Sequence, residues 1–502
     1  MDGSRLRLMS TMVWACATSM PVLAQSNGQA RALNVTAAVS GDVSEVIERR
    51  ALTGETHDTV TQLRPSIRLD SRSGRVVGSL EYSLNLAHHT QAAYQGQNAQ
   101  NFLTANLQAE AIDRWMFVDA SANITQQAAS AYGEQSATTG SDNNANRIEV
   151  GTVRVSPYVR GSLASALTYE ARLTGSATNG RRSKAADSSA TGGSLALSSA
   201  VPGTMFGWDL SASSQTLDFR TGRKTQSDRT QARVSWFPDP DLIFSVRGGQ
   251  ESTDVADVVQ TRYDNWGAGL TWRPSPRTRA QIDVDDRYFG RSHQVVLEHR
   301  LPSSSIRFAS TRDAVNGADP GAAGQRVSLY QLLDRLLAPS ITDATARDAQ
   351  IRLILQNSGN ADPNQLVSGG SINSAVTVTE RNELNLGYSG LRMTGSLQVY
   401  SSKVQSLDPT ATGAQPLRQW GYLGAANYQL STTAQLTLTG SRLITKATVT
   451  QPGTDLKSLT LGWSNLLARR TTAGLNVRYS VFNSATDPYR QLAVLASLSH
   501  RF

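Results

Sequence analysis

Cysteine is almost absent from this chain. The single one, Cys16, lies in an N-terminal stretch that reads as a cleavable signal, so the mature chain has none. That excludes disulfides, thiolate metal sites and cysteine nucleophiles together. Long apolar runs are missing too: after the N-terminus nothing approaches the ~18 to 20 apolar residues of a membrane-spanning helix. The mean hydropathy is −0.32. Aromatic residues make up 6% and charged residues 18% of 502 positions. There is no compact Lys/Arg run. The formal charge of +8 falls to +7 once Asp2, Arg5 and Arg7 leave with residues 1–24. Charge dispersed in this way gives nucleic-acid binding little support.

The signal reading rests on Arg5 and Arg7 as a positive start, an apolar run from Leu8 through Ala17, and a small-residue cleavage site at Val22-Leu23-Ala24. Bulky Trp14 in Val13-Trp14-Ala15-Cys16 speaks against lipid attachment at Cys16. The expected organisation is a signal peptide over 1–24 and one domain over 25–502, exported by the general secretory pathway.

From about residue 32 the dominant period is two. Leu80, Tyr82, Leu84 and Leu86 alternate with Glu81, Ser83 and Asn85. Leu459, Leu461 and Trp463 alternate with Thr460 and Gly462, and Leu475, Val477 and Tyr479 with Asn476 and Arg478. One face is apolar and the other small or polar, the mark of a half-buried strand. The segments run about 9 to 14 residues, long enough for a tilted strand to cross a bilayer. Connections alternate between short turns, such as Pro274-Ser275-Pro276-Arg277 and Ser431-Thr432-Thr433, and longer polar stretches at 41–60, 89–101, 127–147, 177–191, 313–373 and 404–417. Short periplasmic turns and longer outer loops are the habit of outer-membrane barrels. The expected fold is therefore all-β, a transmembrane antiparallel barrel of about 22 strands, within a range of about 18 to 24.

Leu492, Val494, Ala496 and Leu498 share a face with the terminal Phe502. A last strand closing on an aromatic residue is the kind that barrel-assembly machinery reads, so Leu498 and Phe502 are the candidate assembly signal. His500 departs from the pattern. Residues 325–358 interrupt the strands with two leucine-rich helical stretches, the first stopping at Pro339 and the second carrying Ile351, Leu353, Ile354 and Leu355. The insertion 313–373 is expected to sit at the outer mouth as a lid or plug.

Charges on the polar faces are the candidate functional residues. Arg64 and Arg68 alternate with Leu63, Ile67 and Leu69; Arg229 and Arg233 with Thr230 and Val234; Arg279, Asp283, Asp285 and Arg287 with Ala280, Ile282 and Val284. Arg478 lies between Val477 and Tyr479. An Arg facing lipid at mid-depth costs about 2 to 4 kcal/mol, so these residues must face the lumen. They form either a hydrated interior of mutually paired ions or a polar path in which excess Arg favours anionic groups. The adjacent His88 and His89 point to opposite faces of one strand and make a poor metal pair. No motif brings a cofactor, a metal or a catalytic group with its supporting context, and the chain reads as a non-enzyme.

Several stretches resemble the uncharacterised outer-membrane barrels associated with the PEP-CTERM/exosortase system and its exopolysaccharide gene clusters. They are Trp115-Met116-Phe117-Val118-Asp119-Ala120-Ser121-Ala122, Val155-Ser156-Pro157-Tyr158, Trp272-Arg273-Pro274-Ser275-Pro276-Arg277-Thr278 with Asp286-Arg287-Tyr288-Phe289-Gly290-Arg291, and Leu332-Leu333-Asp334-Arg335-Leu336-Leu337-Ala338-Pro339-Ser340-Ile341. The resemblance spans most of the mature chain. It implies a barrel in the outer membrane and a genetic link to extracellular polysaccharide, with no catalytic residue to carry over. The partners it suggests are outer-membrane lipid and lipopolysaccharide, the assembly machinery, and polysaccharide with its export proteins. A porin-like channel for small hydrophilic solutes is the first alternative, and an outer-membrane barrel enzyme comes third.

Overall fold

The computed structural model describes residues 33–51, 53–91, 98–137, 144–163, 167–199, 204–315, 351, 372, 374–411 and 415–502. The expected signal peptide lies outside the described residues. The first eleven strands are β1 (Leu33–Arg50), β2 (Gly54–Ser73), β3 (Val76–His89), β4 (Ala99–Ile112), β5 (Met116–Ala128), β6 (Arg147–Leu163), β7 (Leu167–Arg181), β8 (Ser188–Ser199), β9 (Phe206–Phe219), β10 (Lys224–Asp239) and β11 (Leu242–Thr253). The other eleven are β12 (Thr261–Ser275), β13 (Thr278–Arg287), β14 (Gly290–Arg300), β15 (Ser304–Val315), β16 (Thr377–Ser389), β17 (Met393–Ser406), β18 (Leu417–Gln429), β19 (Ala434–Thr445), β20 (Thr454–Ala468), β21 (Thr471–Asn483) and β22 (Tyr489–Arg501).

Each strand pairs antiparallel with the next, and β22 returns to β1 from Ala38↔Arg501 to Arg50↔Tyr489. The result is a closed 22-stranded barrel. Closure leaves no unpaired edge, which is what a membrane demands of a sheet. The period of two decides the faces. In β1, Asp42, Ser44 and Val46 are 3%, 2% and 1% exposed on the inner face, while Val43 between them is 51% exposed outward. Outward aromatics gather near the short-turn ends, among them Trp236, Phe244, Trp272, Tyr388, Tyr428 and Trp463. An apolar outer band with aromatic edges is how a barrel meets lipid. These features define a membrane-spanning barrel of the outer-membrane type.

Two expected outer loops are instead strand. Residues 41–60 continue β1 to Arg50 and start β2 at Gly54, whose φ of +78° suits glycine at the tight turn. Residues 177–191 lengthen β7 and β8 around one 3-10 turn, Lys184–Ala186. Above the bilayer an outward residue meets water, so Glu45 or Glu55 there breaks no rule and the apolar alternation fades while the ladder continues. β15 likewise runs through Asp313 to Val315. The rest of the insertion lies outside the described residues except Ile351, which is helical and fully buried, and Ile372; residues 374–376 then lead into β16.

Candidate functional site

All nine expected lumen residues lie on the inner face. Arg64 and Arg68 stand opposite Ser40 and Thr36 of β1, on the face of buried Asp42 and Ser44. Arg229 and Arg233 stand opposite Glu251 and Arg247 of β11. Asp283 and Asp285 stand opposite Gly269 and Gly267 of β12, and Arg279 opposite Glu298 of β14. Arg287 reaches Glu251 across β12, at 2.7 Å, and Arg478 shares the face of Thr460.

The structure gathers most of them into ion networks. Glu251, wholly buried, takes Arg287 at 2.7 Å and Arg229 at 3.2 Å. Arg287 also holds Asp313 at 2.6 Å. Arg247 binds Asp283 at 2.9 Å and Asp285 closely. Its guanidinium has to cross β12 to do so, and the strand carries Gly267 and Gly269 at the crossing. A Cβ on either glycine would meet the carboxylate. Elsewhere Arg68 pairs with Asp70 at 2.5 Å and Arg64 with Asp42 at 4.0 Å. Arg233 lies 3.8 Å from Asp209. Arg279 donates to Gln281 Oε1 at 2.7 Å, and Arg478 donates to Gln491 Oε1 at 3.0 Å. The interior is thus largely neutralised by its own ions.

Sequence reading missed several members. Arg307 joins Glu298 at 3.0 Å to Glu383 at 2.9 Å, and Arg381 binds Glu383 while lying over Tyr400. Arg172 lies over Tyr158 and binds Asp119 at 2.8 Å. Arg247 was legible in principle. Phe244 and Val246 are the lipid-facing residues of β11, so Ser245 and Arg247 must point inward.

Amides supply the rest of the wall. Buried Asn85, Asn265 and Gln398, on β3, β12 and β17, find no side-chain hydrogen-bond partner among the described residues.

The outer mouth is narrowed by contacts between strand ends far apart in the sheet. The loop after β5 reaches β19, where Thr445 Oγ1 donates to the Ala131 carbonyl at 3.3 Å. It also reaches β22, where Tyr489 Oη donates to the Gln135 carbonyl at 2.7 Å. Arg50 at the end of β1 binds Glu134 at 2.8 Å, Glu48 and Asp487. Burial raises the Glu134 carboxyl above its ordinary value, although Arg50 pulls the other way. On the opposite side Phe219, Val255 and Val376 share one apolar cluster with Leu407 beside them, and Arg223 lies 3.6 Å from Asp408. Burial would raise Asp408, but bonds from Thr410 and the nearby Arg223 hold it below the usual carboxylate value. Ile372 packs against Ile148 and Val150 of β6.

Histidines do not converge. His89 Nδ1 meets Asp58 at 2.7 Å inside, and His88 faces outward opposite Thr61. His293 Nε2 lies 2.9 Å from Ser310 Oγ on the outer wall, and that hydroxyl donates to Asn382 Oδ1 at 2.7 Å. His500 of the Ser-His-Arg terminus bonds Thr471 and packs edge-on against Phe502. No group of three or more potential metal-binding side chains occurs among the described residues.

The site is therefore the inner wall of an outer-membrane barrel. No protein-family model matches the chain, and no curated protein sequence does. Among solved structures it is similar to the FrpB iron transporter from Neisseria meningitidis, at 9% identity and TM-score 0.48, over 93% of this chain and 82% of that one. It is similar to the siderophore receptor PirA from Pseudomonas aeruginosa at 10% identity and TM-score 0.44, over 95% and 81%. A third likeness is to OccK8 (OprE) of Pseudomonas aeruginosa, at 8% identity and TM-score 0.34, over 93% and 98%.

Proposed function

We propose that the chain is exported by the general secretory route, assembled by the barrel-assembly machinery, and acts in the outer membrane of a diderm bacterium as a pore or scaffold for extracellular polysaccharide. The supporting observation is the inner wall: charges that neutralise one another, interleaved with buried carboxamides at Asn85, Asn265 and Gln398 that find no side-chain hydrogen-bond partner among the described residues. A carboxamide offers donors and acceptors without net charge, which is the chemistry sugar hydroxyls match. A buried amide left unpaired costs about 1 to 3 kcal/mol, so these amides, at 1%, 3% and 0% exposure, mark the wall as polar and are not themselves open to a cargo. The polysaccharide itself comes from the sequence resemblance, as do export proteins as partners. A channel for small hydrophilic solutes draws on the same wall and is the second reading. Neither assigns a catalytic group.

The deciding experiment is deletion of the gene with quantification of surface polysaccharide and of small-sugar uptake. Loss of polysaccharide with normal uptake is the expected result. Normal polysaccharide with altered uptake would replace the first reading with the second.

A further inference from the structure

The outer wall is charged unevenly near its outer ends. From β17 round to β1, six cations lie on the outward face within four positions of those ends: Lys403, Arg418, Arg442, Lys457, Arg490 and Arg49. One outward carboxylate, Asp455, shares that arc, binding Arg442 at 2.9 Å and Lys457 at 3.5 Å. The net charge is +5, from six cations less one anion. The same band over β9 to β13 holds Asp218, Asp228, Asp264 and Asp286 against Lys224 and Arg262, a net −2 from two cations less four anions. A solvated rim alone gives no reason for this division.

Their position selects the partner. Lys457 is followed on its own face by Leu459, Leu461 and Trp463, exposed by 54%, 47% and 39%. Arg490 is followed by Leu492 and Val494, at 39% and 40%. Arg442 lies over the Trp420 ring at 5.6 Å. Cations therefore cap an apolar wall, outside the lumen, where only a molecule lying along that wall can touch both. Lys403, Arg418, Arg49 and Arg490 make no ion pair among the described residues, and the last three are exposed.

We propose that the outward rim from β17 to β1 docks a phosphorylated, anionic lipid of the outer leaflet, with acyl chains on the apolar wall and phosphates on the cations. This rests on the outer-membrane reading and is independent of the cargo. Cations near an anionic membrane surface contribute about 1 kcal/mol each, so neutralising three should weaken binding about a hundredfold.

The test reconstitutes the full barrel in phosphatidylcholine nanodiscs doped with bisphosphorylated lipid A or with its dephosphorylated form, and measures lipid retained per barrel by native mass spectrometry. The triple variant Lys403→Gln, Arg418→Gln, Arg490→Gln is compared with the control Lys224→Gln, Arg262→Gln. Expected is retention of the phosphorylated form alone, lost in the triple variant, kept in the control, and weakened by salt. Equal retention of both lipids, or equal loss in both variants, overturns the proposal. A heat-modifiable band on gels is checked first. Its absence in the parent protein would indict the membrane reading and not the docking arc.

Discussion

Arg247 on β11 and Asp285 on β13 are bonded across the strand between them, and the residue beneath the contact is Gly267. The glycine is what lets the guanidinium cross. A Cβ there would lie 2.6 Å from the Val284 carbonyl oxygen as well as against the carboxylate. Arg247→Met leaves Asp283 and Asp285 without their cation and is expected to cost about 3 kcal/mol, the low end for breaking a buried pair. Gly267→Val should destabilise comparably with the charges intact. Urea unfolding of both variants in lipid vesicles checks this, and parental stability for Gly267→Val would show that the route is not needed.

Glu251 should behave as a hub. Arg287 and Arg229 both bind it, and its side chain is wholly buried. A double-mutant cycle of Glu251→Gln with Arg287→Met is expected to give a coupling of about 1 to 3 kcal/mol. The same cycle with Arg279→Met in place of Arg287→Met should give a coupling near zero, since Arg279 bonds Gln281. Equal couplings would reduce the network to a general field.

Acid should tighten the loop over the outer mouth. Burial raises the docked Glu134 carboxyl above its ordinary value. The docked loop therefore holds that proton more firmly than an undocked one would. Its added stability is complete below the ordinary carboxylate value and is lost as pH rises through the raised one. Hydrogen-exchange protection of residues 129–137, corrected for intrinsic rates, should increase on acidification through that window. Glu134→Gln should abolish the dependence, and Arg50→Ala should lower protection at neutral pH. Protection that falls with acid in the parent protein contradicts this account.

Removing Phe502 should impair assembly. Its amide donates to the Ala37 carbonyl at 2.9 Å, tying the last residue to β1 at the closing seam, and its ring is 65% exposed outward. Leu498 lies on the same outward face. The readout is the heat-modifiable fraction in outer-membrane preparations. Normal assembly of the truncated chain would end the case for Leu498 and Phe502 as a signal.

Much of the architecture was written in local order. Strand number, antiparallel pairing and the inward placement of Arg64 through Arg478 follow from a period of two, because a one-residue slip would turn charge toward lipid. Within the bilayer that rule is enforced by the cost of a misplaced charge. Above it the enforcement lapses, which is why strands at 41–60 and 177–191 passed for loops. What no local pattern encodes is which charge meets which. Arg247 finds Asp285 only because β11 and β13 flank a glycine-bearing β12 in register, and Arg50 finds Glu134 only because a distant loop crosses the mouth. The two carboxylates lie 38 and 84 positions from their arginines. Such pairs depend on barrel closure and strand stagger, set by the whole sheet at once, and so the tertiary structure decided them.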